Sequence, residues 1–455
     1  MRVLLIASSA REHAIADALS RSRHRPEIVA ICPQKNPGLN KLSTTFHVEN
    51  IMDFPRVLEI ARTTKPDFAF IGPDDPIGAG LADELENIGV QSVAPKKSLA
   101  QIESSKGFAR ELLATYAIDA SPKFRVFKNA GSIEEMRKNM NTFIDQLGGS
   151  YVVKYDALKG GKGVKVSGEH LTTVEEGLEY ALACIEECGK VVIEEKLEGV
   201  EFSLLSFVSG TRVVDMPAVQ DHKRAYDGDR GPNTGGMGTY TDSNHSLPFL
   251  DSTDLLRAKE INRSVAEALM KEFPKHAGGY RGILYGGYMA VRDGIRVIEF
   301  NARFGDPEAL NILPLLTSDF GDVCTSIIEG TLDESLVSFA HKATVCNYIV
   351  PQSYPTAKNE RGKGVSFPSP RSSSPASSSH IYFGDVTEKD DGSLALGGSR
   401  SAGIVAVAES IEEARKMALD LCAKVQGPVR YRTDIATPSL LKARVDLLRR
   451  LRHAH

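Results

Sequence analysis

A chain of 455 residues, 42% hydrophobic and 25% charged, exceeds what a single core organises, so it divides into several globular domains that need no disulfide or metal staple. Its formal charge of −4 excludes a general attraction to nucleic acid, and no apolar run reaches the roughly 20 residues that a membrane span requires. The opening MRVLLIASSAREHA meets charge at Arg11 and Glu12 too soon for a secretory leader, and the six cysteines form no CxxC pair, so a cytoplasmic setting with reduced thiols is expected. The ligand to expect is a small phosphorylated molecule rather than a polymer.

Residues 2–7, 28–32 and 68–71 are short β-rich runs, the first two separated by a helical stretch over 11–21, which is the rhythm of βαβ units on a parallel sheet. The turn GPDDP at 72–76 puts polar groups at the carboxyl end of the third run, where open α/β sheets bind ligands. This N-terminal parallel α/β domain closes near residue 103. A helix over 106–116 leads into strands at 151–154, 164–166, 191–195 and 202–208, a mixed α+β unit extending to residue 330. Within it, 283–300 reads as a hairpin turning at Arg292-Asp293-Gly294, followed by a short apolar helix over 307–314. A small β-rich C-terminal domain spans 331–438, and its Ser/Pro-rich stretch 366–380 reads as a mobile loop. The basic tail, 439–455, reads as a solvated helix.

Three groups of residues carry chemistry. In VVKYDALKGGKGVKV, Lys154 precedes Gly160, Gly161 and Gly163; closely spaced glycines let backbone N–H groups approach an anion, and lysines on either side neutralise polyphosphate. The pattern is neither GxxxxGK[ST] nor GxGxxG, which argues against a P-loop and against dinucleotide oxidoreduction. Glu299 and Asn301 alternate onto one face of a strand, where two hard oxygen donors suit Mg2+ against substrate phosphates; a solvent-facing polar pair would be the bland alternative, but Arg303, Asp306 and Glu308 crowd the same place. The run from Gln220 to Gly238, with Asp221, His222, Lys223, Arg224, Asn233 and Gly235, is either a solvated charged loop or a wrap of donors and small residues around a phosphosugar.

Taken together and in order, AREHAIA (10–16), IGPDDPIGAG (71–80), ESSKGFAREL (103–112), GGKGVKV (160–166), EEKLEGVEFSLLSFV (194–208), VQDHKRAYDGDRGPNTGGMG (219–238) and VIEFNARFGDPEA (297–309) are specific. Over about residues 1–435 the chain resembles the phosphoribosylamine–glycine ligase family, and in wording its archaeal members. The resemblance implies an ATP-grasp fold between the N-terminal and C-terminal domains, and ATP-dependent ligation of glycine to 5-phosphoribosylamine with Mg2+ or Mn2+. Lys106 and Lys154 then hold ATP phosphates under the Gly160–Gly163 lid, and Glu194, Glu195 and Leu197 lie on the adenine strand. Glu201 serves the ribose hydroxyls, and Glu299 and Asn301 the metal. Arg303, Asp306 and Lys223 are the implied catalytic residues; Ser8, Ser9, Arg11, Asp221, His222, Arg224, Asn233 and Gly235 are those toward the amine substrate. The chain departs from the family pattern at Ala7-Ser8-Ser9-Ala10, usually glycine-rich, at Ala157, usually Gly, and at Asp74, usually Glu. Two other readings are another ATP-grasp carboxylate-amine ligase and a nucleotide-binding paralogue without activity.

Overall fold

Strand Arg2–Ile6 lies at the centre of a five-stranded parallel sheet, between Glu27–Cys32 and Phe68–Ile71, with Thr45–Val48 and Ser92–Val93 at the edges. The computed structural model describes residues 1–453 apart from 130, 160–162, 277, 371, 375 and 376, with the backbone alone for 372–374. The three runs read from sequence are the buried strands; the two edge strands, one partly exposed and one of two residues, give too little apolar signal. Strand order reverses beside Arg2–Ile6, so the loops after it and after Phe68–Ile71 flank the crevice where open α/β sheets bind ligands. Helix Ala10–Ser20 is buried on nearly every side, because sheet, later helices and a C-terminal strand all pack on it.

Two antiparallel sheets follow. The smaller, ordered Phe124–Lys128, Lys190–Glu195, Tyr151–Tyr155 and Val164–Val166, carries helices Ile133–Gln146 and Val174–Cys188 and closes its own core around Tyr151, Met140 and Ile193. The larger is ordered Arg212–Asp215, Val200–Ser209, Arg281–Val291 and Gly294–Asn301. Its hairpin turns where expected: Val291 pairs with Gly294, whose φ of 118° suits glycine, and the register shifts at Gly287/Tyr288. This pair of sheets is the architecture that the ATP-grasp resemblance implies.

The C-terminal sheet borrows from the middle of the chain. Gln220–Asp221 and Gly238–Thr241 pair with each other, and the latter with Ala343–Pro351, which continues through Ala402–Ala408 to Ser377–Phe383. Two expectations are corrected here. The stretch 366–380 is not simply a loop: its last residues, Ser378–His380, pair in register with Val405–Val407, on a strand that runs on to Phe383 and is anchored just beyond the stretch by buried Ile381 and Tyr382. The basic tail is a helix, Pro438–His453, but it is docked, with Leu448 buried and Arg452 bonded to Asp254 (2.6 Å) and Asp251 (2.9 Å), the latter carboxylate capping helix Ser252–Glu272.

Candidate active site

At the end of strand Gly294–Asn301, Glu299 meets cations from a helix, from the smaller sheet and from the segment after Asp221. Lys106, the first residue of helix Lys106–Thr115, donates to Glu299 Oε2 at 2.9 Å. Lys154, buried on strand Tyr151–Tyr155, donates to the Ile298 carbonyl at 2.9 Å and contacts Glu194. Glu194 also accepts from Arg110 Nε at 2.8 Å, so its side chain is spent on a buried ion triad. Burial alone would raise the Glu299 carboxyl, but Lys106, Lys223 and Lys154 outweigh it and hold the group below the usual carboxylate range. The helix N-terminus beside Lys106 is closed by Asp156, which accepts from Gly107 N at 2.6 Å and pairs with Lys190 at 2.7 Å. The sequence reading passed over Asp156 and Arg110, although the Lys-x-Asp spacing on a strand was visible.

Gly160 and Gly161 lie outside the described residues. Gly163 accepts through its carbonyl from Tyr155 N at 2.8 Å, and a Cβ there would stand 2.8 Å from Tyr155 Cβ, so no side chain fits. On the adjoining strand, Glu195 takes the Lys123 N–H at 2.8 Å, while the N–H groups of Glu195 and Lys196 bond to Lys123 and Ser150 carbonyls. Leu197 lies just beyond.

A cleft beside this cluster is lined by Glu201, Ser203, Asp221, Lys223, Tyr285 and Glu299. Lys223 donates to Glu201 Oε2 at 2.9 Å, and that carboxylate holds the ammonium well above its ordinary pKa despite burial. Asp221 Oδ1 is buried without a hydrogen-bond partner. Burial first, then the Glu308 carboxylate, push Asp221 well above its ordinary range; Glu308 itself accepts from Tyr285 Oη at 2.9 Å. Gly236, at φ 112°, lies so close that a Cβ would fall 2.7 Å from Asp221 Oδ1 and 2.5 Å from Pro307.

A second hollow opens at the carboxyl ends of strands Arg2–Ile6 and Glu27–Cys32, lined by Ser8, Ser9, Gln34, Asp306, Tyr348 and Arg400 among others. Asp306 accepts from Ser9 Oγ at 2.7 Å and from Tyr348 Oη at 2.5 Å, and Arg400 stands 3.3 Å from its carboxylate. Arg400 also donates to the Gly235 carbonyl at 2.7 Å, tying the Asp221–Gly238 segment to this hollow. The Ser8 and Ser9 N–H groups point to Glu12 Oε2, at 3.0 and 2.8 Å, rather than into the hollow. Arg11 is buried behind the loop, bonded to Glu12 and to the Phe304 carbonyl. Arg303 pairs with Glu103 at 2.9 Å and lies 4.0 Å from Asp74.

Of the remaining candidates, Arg224 bridges to Glu169 of the smaller sheet's lobe at 2.7 Å and Asn233 is exposed. His222 is buried, with Nδ1 unpartnered and its pKa lowered to about 4 by burial and by Arg432. Asn301 is buried at the end of strand Gly294–Asn301, two residues beyond Glu299. Arg400, Tyr348 and Gln34 escaped the sequence reading because only tertiary folding brings them to Ser9.

Profiles of the phosphoribosylglycinamide synthetase N domain, ATP-grasp (A) domain and C domain match residues 1–103, 104–309 and 344–438. The phosphoribosylamine–glycine ligase of Methanococcus maripaludis strain S2 is 44% identical over 457 residues, covering 99% of this chain and 100% of the relative; that of Methanocaldococcus jannaschii is 42% identical over 458, with the same coverage. The crystal structure of the Thermotoga maritima phosphoribosylamine–glycine ligase superposes with a TM-score of 0.78 at 28% identity, over 96% of this chain and 100% of that one. A Campylobacter jejuni biotin carboxylase, at 12% identity and a TM-score of 0.74 over 99% and 98%, shares the fold. With all three domains matched in order and archaeal relatives aligned from end to end, the chain belongs to the phosphoribosylglycinamide synthetase family, the phosphoribosylamine–glycine ligases.

Proposed function

We propose that this chain joins glycine to 5-phosphoribosylamine at the expense of ATP, by way of glycyl phosphate, giving glycinamide ribonucleotide, ADP and phosphate in purine biosynthesis. The observation that carries this reading is the pair of adjoining sites: a lysine-ringed carboxylate in one, a serine and arginine hollow in the other, and one segment, Asp221–Gly238, reaching both. No helix among the described residues is long and apolar enough to cross a membrane, and the cysteines are unpaired, in keeping with a cytoplasmic setting.

Lys106 and Lys154 carry the charge that ATP phosphates require, and Glu299 with Asn301 supplies hard oxygen donors of the kind Mg2+ and Mn2+ take. The fit is favourable because the Glu299 carboxyl is held ionised by three lysines whose charge a polyphosphate would otherwise attract. A divalent ion bound there offsets charge on the transferring phosphoryl group. A glycine carboxylate does not react with an amine at neutral pH, so phosphorylation must precede attack. The chain's own part is then positioning: Lys223 and Arg303 for the acyl group, Ser8, Ser9 and Asp306 for the phosphosugar, and the glycine loop for excluding water that would hydrolyse the acyl phosphate. Asp221, whose Oδ1 has no hydrogen-bond partner, is the group on this segment that we assign toward the amine substrate.

ADP release is the test, measured with ATP and glycine in the presence and absence of freshly made phosphoribosylamine. Stimulation by the amine with formation of glycinamide ribonucleotide is expected; no stimulation and no product would remove the assignment in favour of another ATP-grasp ligase or an inactive paralogue.

A further inference from the structure

Within the Asp221–Gly238 segment, strands Arg224–Tyr226 and Arg230–Asn233 form a hairpin braced within itself by Arg230 on the Asp227 carbonyl and Arg224 on the Gly231 carbonyl, both at 3.0 Å, and further held from outside. Gly228 and Asp229 both take positive φ, 73° and 51°, a turn conformation that glycine adopts freely and aspartate tolerates at some cost, and contacts from outside hold Asp229 in it. The holding groups come from the other end of the chain. Arg432, with no solvent exposure, donates to Asp229 at 2.9 Å, to the Arg224 carbonyl at 3.0 Å and twice to Asp434, at 2.8 and 2.7 Å. Asp434 in turn accepts from Gly228 N at 2.8 Å. Thr433 gives both its N–H (3.0 Å) and its hydroxyl (2.6 Å) to Asp227, and Arg430 donates to the Ala225 carbonyl at 2.8 Å.

The second oxygen of Asp229 is taken by Arg444, on helix Pro438–His453. That helix is itself fixed to the larger sheet's layer through buried Leu448 and the Arg452 pair with Asp251 and Asp254. Apart from Pro438 it lies beyond the residues that the C-domain profile matches. Two arginines more than 200 positions further along the chain thus meet on one aspartate at the hairpin turn. A buried guanidinium with paired carboxylates fixes geometry rather than adding much net stability.

We propose that the C-terminal helix is a positioning device for the amine substrate: Arg444, with Arg432, holds Asp229 and thereby sets the hairpin Arg224–Asn233 in the shape that receives the phosphosugar. The proposal rests on the reading of Asp221–Gly238 as part of the phosphoribosylamine site. Arg444 and Arg432 are positioning residues; the groups that touch substrate lie on the hairpin and in the hollow beside it.

The test compares full-length Arg444→Gln, Arg444→Lys and Asp229→Asn with wild type, and uses Arg224→Ala and Asn233→Ala to probe the hairpin directly. Arg432→Ala is avoided because it removes a fully buried guanidinium together with its bonds to Asp229, Asp434 and the Arg224 carbonyl, a change that threatens folding itself. Arg444→Gln is expected to raise KM for phosphoribosylamine about tenfold while KM for ATP and kcat stay within about twofold. Arg444→Lys should recover part of the loss, and Arg444→Gln with Asp229→Asn should be far from additive, since both break one contact. Equal rises in every KM would mean a general structural role and overturn the proposal. An unchanged KM for the amine, with that of Arg224→Ala or Asn233→Ala raised, would also overturn it while sparing the site assignment. If the hairpin variants leave that KM unchanged as well, the site assignment falls and the proposal with it.

Discussion

Glu299 accepts from Lys106 directly and has Lys154 and Lys223 in its field, so removing it leaves cations without their carboxylate and, in the proposed reading, deprives a divalent ion of its charged donor. Glu299→Ala should therefore lower kcat by about a hundredfold or more at saturating Mg2+; a rate near wild type in a steady-state assay would refute the metal role. Ser8 and Ser9 pose a finer question. Their N–H groups are committed to Glu12 and the Ser9 hydroxyl to Asp306, so in the proposed site the Ser8 hydroxyl is the donor left to a phosphate, with Ser9 holding Asp306. Ser8→Ala with Ser9→Ala is expected to raise KM for phosphoribosylamine about tenfold, the value of one lost hydrogen bond to a charged group, and to leave KM for ATP nearly unchanged. Equal effects on both substrates would count against it. At this scale the sequence was informative wherever chemistry is local. Glu299 and Asn301 are two residues apart on one strand, and Asp221 to Arg224 are contiguous. Asp306 was legible, but its partners Tyr348 and Arg400 were not, because 42 and 94 residues of chain intervene.

Strand Ser377–Phe383 shows how composition misleads about an element. Three serines lead it, and alternation is legible only in its second half, where Ile381 is buried against Ile349, Ile404 and Leu421. Its partner strand Ala402–Ala408 satisfies the backbone whatever the side chains are. Ile381→Ala is expected to cost roughly 2 to 4 kcal/mol, read as a lower denaturation midpoint without a change in slope; a loss under about 1 kcal/mol would mean that the strand adds little to this core. Helix Pro438–His453 illustrates the opposite case. Its helical character was plain, but charge patterning cannot tell a solvated arginine from one that meets Asp254 or Asp229 across more than 190 residues of chain.

Across the whole molecule, the N-terminal and C-terminal domains meet at His13. Its Nδ1 accepts from Phe383 N at 2.9 Å, which requires the neutral ring, and burial lowers its pKa to about 4, Asp17 opposing the shift. His222 is lowered to about 4 as well. Between pH 6.5 and 4 the unfolded chain takes up protons at these rings and the folded chain does not, so stability is full above pH 6.5 and falls as the pH drops through that window, by about 3 kcal/mol at most per histidine. Denaturant melts across pH 4 to 7 should show this slope, and His13→Asn, which keeps an acceptor, should flatten it; an NMR titration placing His13 near 6.5 would contradict the origin given. The same interface has a consequence for biosynthesis. Helix Ala10–Ser20 gains its outer neighbours from Phe304, Leu313 and Phe383, whose codons are translated some 290 to 370 residues later. At 5 to 20 residues per second, a nascent chain carries that helix half-clothed for roughly 15 to 75 s. The first domain off the ribosome is thus the last to be completed, and truncated transcripts ending before residue 300 should yield polypeptides that chaperones bind, however regular their parallel sheet.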